Sequence, residues 1–342
     1  MNLYQAVLRP LLFKLPPEQA HAIAEVVLRS WRLWGPKLVY QPPYDSRLSV
    51  NMAGIKLDHP IGLAAGYDKN CKALSGLACL GFSYIVGGTV FPKTQPGNPK
   101  PRLLRIAEQE ALVNAMGFPS LGPEASISAL HEAASKDTKV VISIAGLNTD
   151  DFIDLHRRFE PLCQAIELNV SSPNTRGLEA FQEPVTLRTL LQRLSLQRHK
   201  PLLVKFPAAF DTRSQERVLQ LARICYDEGV DGVTTGNTRP VQDARLSVRQ
   251  GGLSGRPLLE DTLVTVAAVR AELGNGPVIN ACGGIFTGSD VLRALQAGAN
   301  TIQIYSAFIY RGPGTIGQMI KELQSCLETN EISSISSIPG HT

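Results

Sequence analysis

Short apolar segments alternate with longer amphipathic segments along most of the chain from residue 61 onward. Each apolar segment is rich in β-formers, and most are followed by Gly, Ser or Asn and then by a stretch long enough for a crossover helix. Eight such units predict a (β/α)8 barrel, because a doubly wound sheet usually has about five or six strands. The predicted strands are residues 61–65, 84–90, 140–145, 165–170, 202–206, 232–235, 277–281 and 301–305.

Two connections between predicted strands are much longer than the others, over residues 91–139 and 237–276. Long connections after the strands of a compact domain usually carry function. We expect residues 41–330 to form the barrel and residues 1–40 to form a small helical extension. The polar segment 331–342 is expected to be a disordered tail.

The N-terminal extension contains two helical patterns separated by Pro16 and Pro17. Apolar residues of the second pattern recur at spacings of three and four, which predicts one apolar face formed by Ala20, Ile23, Val27, Trp31 and Trp34. Two interpretations are open: a helix pair docked on the barrel, or an amphipathic cap lying on a membrane surface. The segment does not resemble a secretory signal, because it has no continuous apolar core and no small-residue cleavage site.

Composition narrows the class of protein. Of 342 residues, 44% are hydrophobic and 19% are charged, which excludes a disordered chain. No apolar run reaches the roughly 18 residues that a membrane-spanning helix needs. The net charge of +4 is too balanced for a dedicated nucleic-acid binder. The six cysteines form no CxxC pair and no histidine cluster lies beside them, so we expect neither a metal site nor a disulfide framework.

Polar residues follow the predicted strands, where side chains of a barrel point into the active site. Amides, hydroxyls and two lysines dominate, a set that suits a planar, hydrogen-bonding ligand better than hydrolysis. Glycines at strands seven and eight, together with those of residues 251–255, would let backbone N–H groups approach a phosphate. The residues alone therefore predict a phosphate-bearing cofactor and a polar, planar substrate.

Several motifs occur in an order that is typical of one family. They are residues 63–69 (LAAGYDK), 95–102 (QPGNPKPR), 114–118 (NAMGF), 169–175 (NVSSPNT), 251–257 (GGLSGRP) and 303–306 (QIYS). Together with the N-terminal helices they span nearly the whole chain. The sequence resembles the dihydroorotate dehydrogenases, and specifically their quinone-dependent class 2 branch.

The resemblance implies an enzyme that binds one FMN and oxidises (S)-dihydroorotate to orotate in pyrimidine synthesis. A base would remove the C5 proton, hydride would pass from C6 to flavin N5, and a membrane quinone would then take the electrons. By the family pattern the base is Ser172, with Thr175 and Phe118 bordering its proton relay. Serine is a poor base at its free pKa, so its surroundings must activate it. Outside this motif, a strand-end turn with capping hydroxyls would be the preferred interpretation of Ser171 and Ser172.

The resemblance also implies which residues bind the ligands. Those for the substrate would be Lys69, Asn114, Ala115, Met116, Gly117, Phe118, Asn169, Asn174, Asn237 and Thr238. Those for the cofactor would be Ala65, Gly66, Tyr67, Asp68, Lys69, Thr89, Ser143, Asn169, Lys205, Gly236, Ser254, Gly255, Gly283, Gly284, Tyr305 and Ser306. Lys69 would bridge substrate and flavin, and Lys205 would lie near flavin N1. Without the other motifs, Lys205 would be as well interpreted as a Schiff-base nucleophile.

In class 2 enzymes an N-terminal helix pair forms a quinone tunnel and docks on the membrane, which gives the extension a role. His21, Arg102 and Tyr305 match tunnel positions, although a partly exposed helix histidine is an equal interpretation of His21. We therefore expect a monomer bound peripherally to the cytoplasmic side of the inner cell membrane, with no metal and no nucleic-acid partner.

Three positions depart from the family pattern. Ser143 stands where an Asn usually contacts the flavin, Gly236 replaces a Thr, and Ala307 replaces a Gly beside the phosphate. A serine hydroxyl donates one hydrogen bond where an amide donates two. A second hypothesis therefore stays open: a flavin-retaining, membrane-attached paralogue that has lost dehydrogenase activity and acts as a binding protein.

Overall fold

The computed structural model describes residues 3–34, 42–133, 139–171 and 177–338. The strands are β1 (Val50–Met52), β2 (Ile55–Leu57), β3 (Ile61–Leu63), β4 (Tyr84–Val90), β5 (Leu103–Ile106), β6 (Ala111–Asn114), β7 (Val140–Ile144), β8 (Ala165–Asn169), β9 (Leu202–Lys205), β10 (Gly232–Thr235), β11 (Arg239–Gln242), β12 (Gln250–Gly255), β13 (Val278–Cys282) and β14 (Thr301–Ile304). The helices are α1 (Arg9–Phe13), α2 (Pro17–Arg29), α3 (Trp31–Trp34), α4 (Leu74–Ala78), α5 (Pro123–Glu132), α6 (Thr149–Phe159), α7 (Pro184–Ser195), α8 (Thr212–Asp227), α9 (Leu259–Leu273), α10 (Gly288–Gln296), α11 (Ser306–Arg311) and α12 (Thr315–Thr329).

A closed barrel forms the centre of the described structure. Its parallel strands pair in the order β3, β4, β7, β8, β9, β10, β13, β14, and β14 pairs back to β3. Each of the eight predicted strands coincides with a barrel strand, so the predicted (β/α)8 architecture is confirmed. Because all the strands are parallel, their carboxyl ends meet at one rim of the barrel.

The opposite, amino-terminal end of the barrel is sealed by the hairpin of β1 and β2. Met52 and Leu57 from this hairpin are buried in one apolar cluster with Tyr84, Val86, Val141, Ala165 and Leu203 of the barrel strands. This end is therefore filled with side chains, which leaves the carboxyl rim as the place for a ligand.

The two overlong connections build a second sheet that the sequence analysis leaves unassigned. β5 and β6 come from the first connection and β11 and β12 from the second, and they form an antiparallel sheet in the order β11-β12-β6-β5. β5 is half-buried along its whole length, and β11 alternates between half-buried and exposed residues. The sheet joins two distant parts of the chain beside the rim.

The N-terminal extension is helical, as predicted, and contacts the barrel through α2. A π-helical turn at Tyr4–Leu8 leads into α1, and α2 begins at Pro17, directly after Pro16. The predicted apolar face of α2 is divided: Ala20 is buried, whereas Ile23 and Val27 are about half-exposed. Leu28, outside that predicted face, is buried against α4. The helix thus presents apolar side chains both to the barrel and to the outside.

The C-terminal segment is more ordered than predicted. Residues 335–337 form a short 3-10 helix, and Ile335 and Ile338 are buried. The Ser334 hydroxyl donates a hydrogen bond to the backbone oxygen of Arg47 (3.1 Å). The expectation of a disordered tail is wrong for residues 331–338, because two isoleucines spaced three apart provide apolar anchors among the polar residues.

The contact between α2 and α4 leads to a first prediction. A Cβ added at Gly76 would lie 2.1 Å from the backbone oxygen of Leu28, and backbone cannot rotate away as a side chain can. Gly76→Ala should therefore displace α2 from the barrel at a cost of about 1–3 kcal/mol. Limited proteolysis should show faster cleavage within residues 3–34.

Gly314→Ala is the matched control, because an added Cβ there would meet only the flexible end of Gln318, at 3.5 Å. Equal cleavage rates of the two variants and the parent would contradict the close packing of α2.

Candidate functional site

A cavity of about 490 Å³ lies at the carboxyl rim of the barrel, between the strand ends, the four-stranded sheet and α2. Most of the predicted ligand residues line it. They are His21, Ala65, Gly66, Tyr67, Asp68, Lys69, Thr89, Arg102, Asn114, Met116, Gly117, Phe118, Asn169, Lys205, Asn237, Thr238, Ser254, Gly255, Gly283, Gly284, Tyr305 and Ser306. Residues that are far apart in the sequence are thus collected around one space.

Three predicted ligand residues are buried but do not line the cavity: Ala115, Ser143 and Gly236. Ala115 is held in backbone hydrogen bonding with Arg102. Gly236 has a φ of +104°, and an added Cβ would lie 2.3 Å from the backbone oxygen of Cys282. A Thr at this position would not fit the present backbone. The remaining predicted residues Ser172, Asn174 and Thr175 lie outside the described residues.

Ser143 belongs to a chain of hydrogen bonds that leads into the cavity. Its hydroxyl is 3.0 Å from that of Thr89, and the Asn169 amide donates to the Thr89 hydroxyl at 2.9 Å. The Asn169 oxygen accepts from Ser171 Oγ (2.8 Å), which in turn accepts from the amide of Asn237 (2.7 Å). These contacts fix which way the two cavity-lining amides point, so their donors and acceptors are presented in one arrangement.

Asp68 and Lys69 follow β3 and have different roles. The two Asp68 oxygens accept backbone N–H bonds from Lys72 (2.9 Å) and Ala73 (2.7 Å), so this carboxyl shapes the loop. Burial raises the pKa of Asp68 to about 6, against these hydrogen bonds. The Lys69 ammonium donates to the Gly66 backbone oxygen at 2.7 Å. Burial lowers the pKa of Lys69 to about 8, although Glu18 and Asp68 oppose that shift.

Lys205, at the end of β9, is almost completely buried on the cavity floor. Its ammonium donates to Gln303 Oε1 at 3.2 Å and lies 3.6 Å from Cys282 Sγ. Burial alone would lower the pKa of Lys205, but Cys282 and Glu167 outweigh it and the pKa is raised. The side chain is therefore a fixed positive charge beneath any ligand.

On the side of α2, the cavity wall is aromatic. His21 contacts the Tyr67 ring edge-on at 4.9 Å between centroids, and Tyr67 contacts Tyr305 at 5.9 Å. Burial, with help from the charge of Lys69, lowers the pKa of His21 to about 4. The imidazole is thus neutral at physiological pH. The cavity wall formed by His21, Tyr67 and Tyr305 is therefore uncharged.

An ion pair closes the same side. Arg102 Nε and Nη2 donate to Glu18 Oε1 at 3.0 and 2.8 Å, and Lys100 Nζ lies 3.5 Å from Glu18 Oε2. Burial favours the neutral acid, but Arg102 and Lys100 keep the pKa of Glu18 below its ordinary value. Glu18 thus ties α2 to the loop before β5.

The cavity fits a cofactor with a phosphate and a flat ring system. An added Cβ at Gly66 (φ +100°) would meet only Tyr305, at 3.7 Å, and would fill cavity space. At Gly284 (φ +73°) it would lie 2.2 Å from Leu259 N, so only glycine lets this loop lie against the start of α9. The hydroxyls of Ser254 and Ser306, 3.2 Å apart, complete a donor set suited to phosphate. Among the described residues, no cluster of His, Cys, Asp and Glu side chains could hold a metal ion.

Several residues of this site were not predicted from the sequence. Glu18, Cys282 and Gln303 line the cavity, and Glu167 lies beneath it. A signal for two of them was present: Glu167 and Gln303 are polar residues inside otherwise apolar strands. Since side chains alternate along a strand, Glu167 must share the barrel-facing side with Asn169.

Comparisons with known proteins identify the family. The family model described as "Dihydroorotate dehydrogenase" matches residues 47–327. Proteins named dihydroorotate dehydrogenase (quinone) are 37% identical in Rhodopseudomonas palustris strain TIE-1, covering 98% of this chain and 95% of that one, and 37% identical in Methylococcus capsulatus, covering 93% and 98%. The chain belongs to the dihydroorotate dehydrogenase family, which confirms the resemblance drawn from its motifs.

A solved structure supports the same fold. The DHODH from Eimeria tenella in complex with ferulenol superposes with a TM-score of 0.85 at 28% identity, covering 96% of this chain and 98% of that one. The ligand-free form of that protein gives the same score at 28% identity and covers 95% of this chain. The similarity extends over nearly the full length of both chains.

Proposed function

We propose that this enzyme oxidises (S)-dihydroorotate to orotate with bound FMN and passes the electrons to a membrane quinone. The observation that carries the proposal is the single cavity that runs from the barrel rim, with Lys205 and the Asn169 network, to α2 with His21. Such a cavity offers one end to a polar substrate and the other to an apolar acceptor. The names of the relatives include the word quinone, which supports a quinone as the electron acceptor.

The cofactor is proposed to lie over Lys205, with its phosphate toward the loop at Gly284. FMN, when bound, supplies the electron acceptor for the substrate's hydride. The Ser254 and Ser306 hydroxyls and the loop backbone would hold the phosphate. The Lys205 ammonium would balance negative charge that develops above it.

The substrate is proposed to lie against the amides. Asn169 and Asn237 have their orientations fixed by Thr89 and Ser171, so they would bind the ring without first reorganising. Asn114 at the end of β6 and the Lys69 ammonium would bind the remaining polar edge and the carboxylate. Ser172 remains the proposed base for the C5 proton. It directly follows Ser171, whose hydroxyl belongs to this network.

The N-terminal helices are proposed to dock on the membrane. Their outward side carries Leu3, Leu11, Val26 and Leu33, each more than half-exposed. An exposed apolar row on short helices flanked by basic residues fits the interfacial layer of a bilayer. No described helix is long and apolar enough to cross one. We infer peripheral attachment at the cytoplasmic side of the inner membrane, as a monomer.

The structure weakens the argument for the binding-protein hypothesis. That hypothesis was motivated chiefly by Ser143, which does not line the cavity and keeps a hydrogen bond to Thr89. The Ser143 hydroxyl therefore has a hydrogen-bonding partner within the protein, and Thr89 rather than Ser143 lines the cavity.

The proposal is tested by orotate formation. Purified protein supplied with dihydroorotate should produce orotate with a soluble quinone analogue as acceptor and not with NAD. Ser172→Ala should keep bound FMN and lower this rate by about two to four orders of magnitude, because proton transfer loses its base. Orotate formation with NAD alone would contradict the quinone assignment, and no orotate with any acceptor would favour the binding protein.

Lys69 gives a pH prediction. Its ammonium is charged below a pKa of about 8 and loses that charge above it. Orotate affinity of the oxidised protein should therefore fall by about tenfold as pH rises through 8, since one charge-assisted hydrogen bond is lost. The orotate affinity at each pH is measured by following the flavin absorbance as orotate is added.

Lys69→Arg is the matched variant for this titration, because its guanidinium stays charged over the whole range. Its affinity should show no step near pH 8. A step that persists in Lys69→Arg would assign the pH dependence to another group.

The exposed side of the helices gives a further prediction. A double variant, Val26→Asp with Leu33→Asp, should lower binding to liposomes and the rate with quinone dissolved in them by at least about tenfold, because two carboxylates would enter the interface. The rate with a soluble quinone analogue should not change. Val264→Asp, similarly exposed on α9, should affect neither rate. Equal liposome binding by all three proteins would contradict docking through these helices.

A further inference from the structure

A layer of polar side chains crosses the barrel beneath the cavity floor. Glu167 of β8, Thr234 of β10, Asn280 of β13 and Gln303 of β14 are all buried. Glu167 and Gln303 are hydrogen-bonded although β8 and β14 are not neighbouring strands, so their contact passes through the barrel interior. Barrel interiors are dominated by branched apolar residues, and a polar layer at this depth requires a reason.

Glu167 is the one acidic residue of this layer. Its Oε2 accepts hydrogen bonds from Thr234 Oγ1 at 2.8 Å and from Gln303 Nε2 at 2.9 Å. No donor among the described residues reaches its Oε1, which is fully buried. An incompletely hydrogen-bonded carboxylate in the interior is costly unless a nearby positive charge compensates it.

Lys205 provides a positive charge on the other side of a single amide, that of Gln303. Gln303 accepts from the Lys205 ammonium through Oε1 (3.2 Å) and donates to Glu167 through Nε2. Only this orientation of the amide serves both neighbours, because the flipped amide would place its NH2 against the ammonium and its oxygen against the carboxylate. Gln303 thus links the two charges in a fixed order.

Cys282 does not replace Glu167 as the compensating group. It is closer to Lys205, but burial raises the pKa of the Cys282 thiol, so it is uncharged near neutral pH. Burial opposes the charge on Lys205, whereas Cys282 and Glu167 favour it. Glu167 is the acidic group that Gln303 joins to the Lys205 ammonium.

We propose that Glu167 is a positioning residue, which acts through Gln303 to keep Lys205 protonated and directed at the cofactor. This inference rests on the proposed binding of FMN over Lys205. With Lys205 already an ammonium, two-electron reduction of bound FMN to its anion takes up one proton. If the charge of Glu167 is removed, Lys205 is neutral beside the oxidised cofactor at alkaline pH, and the same two electrons bring in a second proton, which goes to the lysine amine.

The proton count can be measured from the pH dependence of the cofactor's midpoint potential. In the Glu167→Gln protein with its flavin bound, the potential should fall with pH about twice as steeply as in the parent over an alkaline interval, because two protons accompany two electrons rather than one. Thr234→Val removes a hydrogen bond to Glu167 but leaves its charge, so it should keep the parent's slope. Equal slopes in Glu167→Gln and the parent would overturn the proposal.

A second measurement needs no cofactor and so separates this inference from the proposed function. Thermal unfolding of Lys205→Met, Glu167→Gln and the double variant, all without flavin, forms a double-mutant cycle. Each single variant leaves one buried charge or its hydrogen-bonding partner unmatched, so the double variant should lose less in its unfolding midpoint than the sum of the two losses. If a single variant does not fold but the double variant does, that result also supports the coupling.

The outcomes are distinct. Additive losses would overturn the coupling between Glu167 and Lys205, whatever the protein binds. If the losses are non-additive but the protein cannot be loaded with FMN, the coupling between Glu167 and Lys205 is retained and the proposed function is overturned. If Glu167→Gln does not fold with flavin, Gln303→Met takes its place, because it removes the bridge between the two charges. Its midpoint potential should fall with pH at a slope between those expected for the parent and for Glu167→Gln. A slope equal to the parent's would contradict the proposal.

Discussion

The interior of a closed barrel excludes water, so a polar group placed there depends on partners within the protein. Lys205 is subject to this constraint, because its ammonium is buried at the point where the barrel meets the cavity. Gln303 and, behind it, Glu167 complete its surroundings. The polar layer of the barrel connects this positive charge to Glu167, with an apolar cluster at the opposite end of the barrel and the ligand cavity above.

The two ends of the barrel differ because different elements cover them. The hairpin of β1 and β2 fills the amino-terminal end with apolar side chains, which leaves that end inert. The carboxyl rim is covered by the four-stranded sheet and by α2, and neither fills it, so a cavity of about 490 Å³ remains. Glu18 and Arg102 join the two covers across the opening. In the proposed function, the substrate and the electron acceptor would approach opposite sides of this one space.

The barrel strands could be predicted because each is a short apolar run that is buried on both faces. The antiparallel sheet could not, since strands such as Leu103–Ile106 are half-buried and carry no clear alternation. The cavity-lining residues at strand ends followed from barrel geometry and the family motifs. The hydrogen bond between Asn169 and Thr89 joins residues 80 positions apart and required the fold. Glu167 and Gln303 were visible as polar residues in apolar strands, and a period of two would have placed them inside the barrel.

The central claim is that the cavity over Lys205 holds FMN and dihydroorotate together. Anaerobic addition of dihydroorotate to the purified protein, without any quinone, tests it most directly. We expect a yellow protein whose visible flavin absorbance bleaches in a single turnover, with one orotate formed for each flavin. A yellow protein that stays yellow, or a colourless protein that takes up no FMN on incubation, would contradict the account.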